Sequence, residues 1–264
     1  MEISILGAGS WATAMAYVLS KNYNVLLYAR KIKDVESINI KHENKKYLDG
    51  FLLPENIRAT NNIKDLFSNK YIVNAIPTQN TRSVLEDIRR FIDNDHVFIN
   101  LSKGLELDTH FRLSEIFYDT LGKNINYAVL SGPSHAEEVI LNMPTAIVCA
   151  CENENIAKNI QAIFSTDYFR VYTSSDVVGV ELGGAIKNIL ALGIGIIRGL
   201  GYGDNTKAAI MTRGIHEMSL FTKSFGSAEQ TINGLAGIGD LIVTATSMHS
   251  RNYKAGILIG EGLS

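Results

Sequence analysis

The stretch from Glu2 to Ala12 constrains the fold more than any other part of the chain. Glu2 to Leu6 (EISIL) is a short β-like run that passes directly into Gly7-Ala8-Gly9-Ser10-Trp11-Ala12, and Thr13 to Lys21 continues with helical character. In a strand, turn and helix with GxGxxA spacing, the first Gly permits the tight turn and the second lets backbone approach a pyrophosphate. The small third residue lets helix and sheet pack closely. The helix N-terminus adds free N–H groups and partial positive charge. This context predicts a dinucleotide site on Gly7 and Gly9. The competing reading is an ordinary βα turn rich in small residues.

The second strand, Asn24 to Tyr28, ends at Ala29-Arg30 and not at the acidic residue that would grip a ribose 2′-hydroxyl. An arginine there can hold the 2′-phosphate of NADP or stack on adenine, so Arg30 favours NADP without excluding NAD. A solvated arginine at a strand end is the other possibility.

Beyond it the alternation continues. Lys31 to Gly50 is charged and helix-like, and Phe51 to Asn62 carries Pro54 and a short extended piece. Tyr71 to Ile76 is a strand stopped by Pro77, and Thr78 to Phe91 has helical apolar spacing. Further strands are expected at His96 to Leu101, Tyr127 to Leu130, Ala146 to Cys151 and Phe169 to Thr173, with helices at Phe111 to Leu121 and Ile156 to Phe164. Residues 1–175 therefore read as an α/β, Rossmann-like, doubly wound sheet. From Asp176 the texture changes. Val177 to Arg198 and Asn205 to Phe225 read as two long helices joined by Gly199 to Gly203, with no convincing strand after them. Residues 176–264 are expected to form an all-helical substrate and catalytic domain.

Within that first long helix, VELGGAIKN sets Lys187 among Gly179, Gly183, Gly184 and apolar side chains. Clustered glycines in a helix cost roughly 1 kcal/mol each against Ala, which implies close approach of something to the backbone. Burial would pull the lysine's pKa toward neutrality and suit it to acid–base chemistry; a surface lysine on an awkward helix is the alternative. Lys103, Ser131 and Ser134 follow strand ends, where open parallel sheets bind ligands. Asp240, in GLAGIGDL, is a candidate partner for Lys187 or a helix cap. Arg251, in SRN, offers the planar fork that recognises phosphate.

Composition excludes other classes. With 25 basic and 27 acidic residues the net charge is −2, so neither nucleic acid nor an anionic membrane is expected as a partner. The start lacks a signal-peptide pattern and no uninterrupted apolar run reaches membrane length, so a cytoplasmic protein without stable membrane insertion is expected. Cys149 and Cys151 read as core thiols on one strand face. The histidines show no metal-ligand spacing, so no metal is expected. The nearly uncharged Val177 to Arg198 helix implies burial on several sides, against the first domain or a second subunit in a homodimer.

Taken in order, GAGSWATA at Gly7, SKGLE at Ser102, SGPSHAEE at Ser131, GGAIKN at Gly183, GYGDNTKAAIMTRG at Gly201, GLAGIGDL at Gly234 and SRN at Ser250 resemble the bacterial NAD(P)-dependent glycerol-3-phosphate dehydrogenases. The resemblance implies that Ser10, Trp11 and Arg30 contact the cofactor and that Ala136 lies near its nicotinamide half. It implies that Lys103 touches cofactor and substrate. Gly132, Ser134, Lys187, Asp240, Ser250, Arg251 and Asn252 would surround glycerol 3-phosphate, with Arg251 also reaching the cofactor. Lys187 matches the family's catalytic lysine. The implied reaction is reversible hydride transfer between NAD(P)H and dihydroxyacetone phosphate, giving sn-glycerol 3-phosphate for phospholipid synthesis. Lys187 would protonate the developing alkoxide and Asp240 would hold it in place.

The chain departs from the family pattern in three respects. Ala12 stands for the usual glycine, and His135 for the phenylalanine expected after SGPS. The chain stops at Ser264, whereas the family continues through further helices that complete the helical domain and add cofactor contacts, including a valine and a glutamate. Weaker cofactor binding and lower stability are expected from that truncation. Two functions therefore compete: an active dehydrogenase, and a decayed, non-catalytic dinucleotide-binding remnant. The SRN motif argues against a third, a related hydroxyacid dehydrogenase.

Overall fold

A computed structural model describes residues 1–263. The chain begins with β1 (Glu2–Leu6), α1 (Ser10–Leu19), β2 (Asn24–Tyr28), α2 (Ile32–Lys41), β3 (Glu43–Asn44), β4 (Leu48–Leu52) and β5 (Ile57–Thr60). It continues through β6 (Tyr71–Asn74), α3 (Thr78–Ile88), β7 (Val97–Asn100), α4 (Leu113–Leu121), β8 (Asn126–Ser131), α5 (Ala136–Ile140), β9 (Thr145–Ala150), α6 (Glu154–Phe164) and β10 (Phe169–Ser174). Helices follow: α7 (Val177–Gly199), α8 (Asp204–Ser224), α9 (Glu229–Ile232), a π-helical turn at Leu235–Gly239, α10 (Asp240–Thr246) and α11 (Arg251–Gly260).

Eight strands form one sheet in the order β10-β9-β8-β7-β6-β1-β2-β5. From β1 the chain winds outward through β2 and β5, then returns to β6 and winds the other way through β7 and β8. That reversal opens a crevice between the carboxyl ends of β1 and β6. The central strands β1, β6, β7 and β8 are buried on both faces, as a sheet covered on both sides requires, whereas the edge strands β5 and β10 alternate buried and exposed residues. Ile3, Ile5, Val25, Val73 and Ile99 pack with α1, whereas Ile72 and Phe98 pack with Leu85 of α3 and Phe117 of α4. One pairing, β8 with β9, is antiparallel, so β9 and β10 run against the rest of the sheet.

The expected helix-like character of residues 31–50 holds only to Lys41. His42 adopts a left-handed conformation (φ 52°) that ends α2, and β3 and β4 then form a hairpin. Buried Asn44 explains the change: its side-chain amide donates to the Ala8 carbonyl at 2.9 Å and to Thr13 Oγ1 at 2.7 Å. Those bonds dock the hairpin on the phosphate-binding turn, a long-range contact that local helical spacing does not report.

In the helical region, α7 is the axis, with Ala191 and Ile194 packed against Met218, Ile232, Leu241 and Tyr253. It crosses α11 with backbones in contact: a Cβ built on Gly195 would lie 3.0 Å from Gly256 Cα, and one on Gly260 2.9 Å from Gly199 Cα. At 23 residues α7 is long and apolar enough to cross a membrane, but half of its most apolar window is buried inside the fold. Its Glu181 is buried and accepts from Arg112 Nη1 (3.0 Å), Ser114 N (2.8 Å), Ser114 Oγ (2.6 Å) and Tyr127 Oη (2.6 Å), which ties α7 to α4 and β8. Cys149 and Cys151 are buried and unbridged, and burial pushes both thiols up, away from reactivity.

Candidate active site

At the mouth of the crevice, Gly7 takes φ +119°, and a Cβ there would lie 3.0 Å from the Ala75 carbonyl oxygen. Only glycine fits that turn. A Cβ on Gly9 would meet nothing within 4 Å, so this backbone is open to a ligand. Ser10 and Trp11 open α1, whose first turn carries no acidic residue, and Trp11 also packs on the core beneath. A free helix N-terminus behind a turn with an open glycine fits a dinucleotide pyrophosphate. Arg30 is exposed just beyond β2 and enters no ion pair among the described residues.

Lys187 and Asp240 come together from α7 and α10. Lys187 Nζ donates to Asp240 Oδ1 at 2.5 Å and to Thr244 Oγ1 at 2.9 Å. Lys103 reaches the same carboxylate from the loop after β7, with Nζ 2.5 Å from Asp240 Oδ2. Asp240 is 2% exposed and Lys187 7%, so two ammonium groups share one anion where water is scarce. The cluster carries one surplus positive charge when both lysines are protonated. It therefore favours an anionic ligand or an oxygen gaining negative charge. Burial, then repulsion from Lys103, lowers the Lys187 pKa to about 7, against the opposing pull of Asp240.

The glycines of α7 let this cluster assemble. A Cβ on Gly183 would lie 2.8 Å from the Ala236 carbonyl oxygen, in the π-helical turn that leads into Asp240. On Gly184 it would lie 3.4 Å from the Lys103 stem and 3.3 Å from Ser131 Oγ. The close approach expected from sequence is thus made by the segments that deliver Asp240 and Lys103. Asp240 spends its carboxylate on the lysines and not on capping, since the residue preceding α10 is Gly239.

Gly132 and Ser134 lie in the turn after β8. Gly132 has φ +153°, with Ile147 Cα only 2.9 Å from the place of a Cβ, and Ser134 Oγ donates to the Gly132 carbonyl at 2.9 Å. Pro133 abuts Gly239, so this turn borders the start of α10. Ala136 is buried at the first position of α5. His135 places Nε2 3.3 Å from the Val243 carbonyl oxygen and its ring 5.6 Å from that of His249, which links the turn to the SRN segment. Ser250 caps α11 by accepting from Tyr253 N at 3.2 Å. Arg251 is exposed and Asn252 half-buried in the first turn of that helix, and Arg251 makes no ion pair among the described residues. No hydrogen bond among the described residues joins Arg30, Ser10 or Trp11 to the lysine cluster; they stand on the β1–β2 side.

Sequence reasoning missed Thr244. Its hydroxyl accepts from Lys187 and donates to the Asp240 carbonyl at 2.6 Å. The available signal was its spacing, one helical turn after Asp240 and so on the same face.

Comparisons with known proteins identify the family. The family model described as NAD-dependent glycerol-3-phosphate dehydrogenase N-terminus matches residues 2–157, and that described as the C-terminus of the same family matches residues 176–264. Glycerol-3-phosphate dehydrogenase [NAD(P)+] of Syntrophomonas wolfei is 49% identical over 267 residues, covering 100% of this chain and 78% of that protein. The protein of the same description from Clostridium botulinum strain Eklund 17B is 49% identical, covering 99% of this chain and 79% of its own. Among solved structures, the glycerol-3-phosphate dehydrogenase of Coxiella burnetii superimposes with a TM-score of 0.95 at 37% identity, covering 100% of this chain and 81% of that one. With both halves of the family pattern matched along a fold of the same shape, the chain belongs to the NAD-dependent glycerol-3-phosphate dehydrogenase family.

Proposed function

We propose that this chain catalyses reversible reduction of dihydroxyacetone phosphate to sn-glycerol 3-phosphate with NADPH or NADH. The observation that carries this reading is the buried Lys187–Asp240–Lys103 cluster, in a chain of this family. When bound, the nicotinamide supplies or receives the hydride. The protein's own work is electrostatic and protonic. As a ketone is reduced its oxygen gains negative charge, and Lys187 can donate its third N–H to that oxygen and then release the proton to it. Asp240 and Thr244 use the other two N–H groups and so fix the direction of the third. In the reverse direction a neutral Lys187 takes the hydroxyl proton.

Gly132, Ser134, Ser250, Arg251 and Asn252 surround the rest of the substrate in this reading. The N–H groups of the α11 N-terminus that the Ser250 cap does not take, together with the Arg251 guanidinium, support phosphate binding there. Gly7, Gly9, Ser10, Trp11, Arg30 and Ala136 serve the cofactor, with Lys103 and Arg251 shared between the two ligands. Residues 1–175 form the dinucleotide-binding unit and 176–264 the helical catalytic unit. The product is suited to phospholipid head-group assembly in the cytoplasm. Retention of the whole polar cluster disfavours the reading as a non-catalytic remnant. Arg30 supports NADP: Arg30→Ala should weaken NADPH binding more than NADH binding in fluorescence titrations, and equal losses would remove that support.

The test is oxidation of NADPH and NADH by the purified protein with dihydroxyacetone phosphate, followed at the nicotinamide absorbance. Turnover is expected with both coenzymes. A folded sample that leaves the absorbance unchanged would overturn the reading.

A further inference from the structure

Lys103 is on a loop, yet its ammonium meets Asp240 Oδ2 at 2.5 Å across 137 positions of sequence. A long, flexible side chain on an unrestrained loop would lose that geometry to entropy, so its backbone must be held. Asn100, 0% exposed at the end of β7, brackets the next turn: Nδ2 donates to the Ser102 carbonyl at 2.9 Å and Oδ1 accepts from Ser102 N at 3.1 Å. Asn74, its register partner on β6 and equally buried, donates to the same Oδ1 at 2.9 Å. Ser102 Oγ donates to the Ile76 carbonyl. Thr78, in the first turn of α3, donates Oγ1 to the carbonyl of Lys103 itself at 2.9 Å. The chain then leaves through Gly104 at φ +121°, whose missing Cβ would lie 3.5 Å from that same Thr78 hydroxyl.

We propose that Asn100 and Thr78 are positioning residues of the hydride-transfer site, holding the Lys103 backbone so that its ammonium shares the Asp240 carboxylate with Lys187. The proposal rests on the functional reading above. Asn100 is fully buried and Thr78 nearly so, and the side chain of each is spent on loop backbone. They act through Lys103. The charged groups acting most strongly on Lys187 are Lys103, from this loop, and Asp240, from α10, with Thr244 as the neutral neighbour. Lys103 disfavours the charged form of Lys187, whereas Asp240 favours it. A loosened brace lets Lys103, whose side chain is 23% exposed, turn outward and leaves Asp240 to Lys187 alone. The midpoint of Lys187 then rises.

A brace that served only stability would lower the melting temperature and leave this midpoint in place. The experiment compares wild type, Thr78→Val, Thr78→Ser and Asn100→Ala by 13Cε-lysine NMR titration of Lys187, alongside the pH profile of glycerol 3-phosphate oxidation. The expected result is a rise of about one pH unit in Thr78→Val and Asn100→Ala, return to the wild-type midpoint in Thr78→Ser, and a parallel shift of the acid limb of the rate. Unmoved midpoints in the folded variants would overturn the proposal. If Thr78→Val fails to fold, Asn100→Ala decides alone. The NMR midpoint is read without turnover, so an inactive wild type would overturn the functional reading while the titration still judged the brace.

Discussion

Lys187 Nζ lies 2.5 Å from Asp240 Oδ1, a bond that joins the middle of α7 to the first residue of α10 across 53 positions of sequence. Because Lys103 takes the other oxygen of the same carboxylate, neither lysine has the anion to itself. An isolated buried ion pair is a doubtful source of stability, since desolvation offsets its attraction. Two cations on one anion are poorer still for stability. The arrangement makes sense when a further negative charge arrives with the substrate or develops during reaction.

Replacing Lys187 should therefore remove chemistry and spare the cofactor. Lys187→Ala should lower kcat by about 10²–10⁴-fold, the usual worth of a positioned acid–base group, with NADPH affinity within about twofold of wild type. Stopped-flow turnover and fluorescence titration measure the two quantities. Equal loss of both would assign the lysine a structural role instead.

The pH dependence should differ in sign between directions. Reduction needs protonated Lys187, so its rate should fall as pH rises through about 7; oxidation needs the neutral amine and should rise through the same range. Stability moves too. In the folded protein Lys187 loses its proton near 7, whereas unfolded it keeps it to 10.5, so between these values the unfolded state binds more protons. This group therefore makes stability increase with pH across that window. Initial rates in both directions and urea midpoints from pH 6 to 10 give the comparison; parallel rate profiles would contradict the assignment of Lys187.

Most of the fold was legible because its signals are local. The GxGxxA turn, the buried strands and the two long helices follow from periodicity and from glycine at defined places, and β1, β6 and α7 begin within a residue of expectation. What stayed hidden depends on contacts distant in sequence. Asn44 bonds to Ala8 and Thr13 across the chain, and that bond turns an apparently helical segment into a hairpin. The reversal of β9 is likewise invisible in a strand's own composition. In the site, Lys187 and Asp240 stood out by their glycine-rich surroundings. Thr244, Asn100 and Thr78 are ordinary polar residues whose partners only the fold supplies.

Two adjacent glycines of α7 should respond differently to a methyl group. At Gly183 the added Cβ meets the Ala236 carbonyl at 2.8 Å, and backbone cannot yield without moving the turn that aims Asp240. Gly183→Ala should lower kcat/KM by about 10²-fold, the scale of an ångström-sized misplacement. At Gly184 the neighbours include the flexible Lys103 stem at 3.4 Å, so Gly184→Ala should act mainly on KM and by less. Steady-state kinetics of the two variants decide it; similar behaviour would show that the π-helical turn is pliant.

Glu181 offers the converse case, a buried charge of α7 that faces away from the chemistry. Burial pushes its carboxyl pKa up, while hydrogen bonds from Ser114 and Tyr127 and the Arg112 charge pull it down. Removing one partner of such a network strands the others: Arg112 loses its buried acceptor, and the Tyr127 hydroxyl and Ser114 N–H lose theirs. Glu181→Ala should cost about 3–5 kcal/mol in urea unfolding. The lost bonds fasten α7 to α4 and β8, whereas Lys187 is held from the other side by α10. Activity per folded molecule should therefore change little under conditions where the variant stays folded. A fall in kcat without a fall in stability would mean that the attachment of α7 to the sheet sets the position of Lys187, and that the two ends of this helix segment cannot be treated separately.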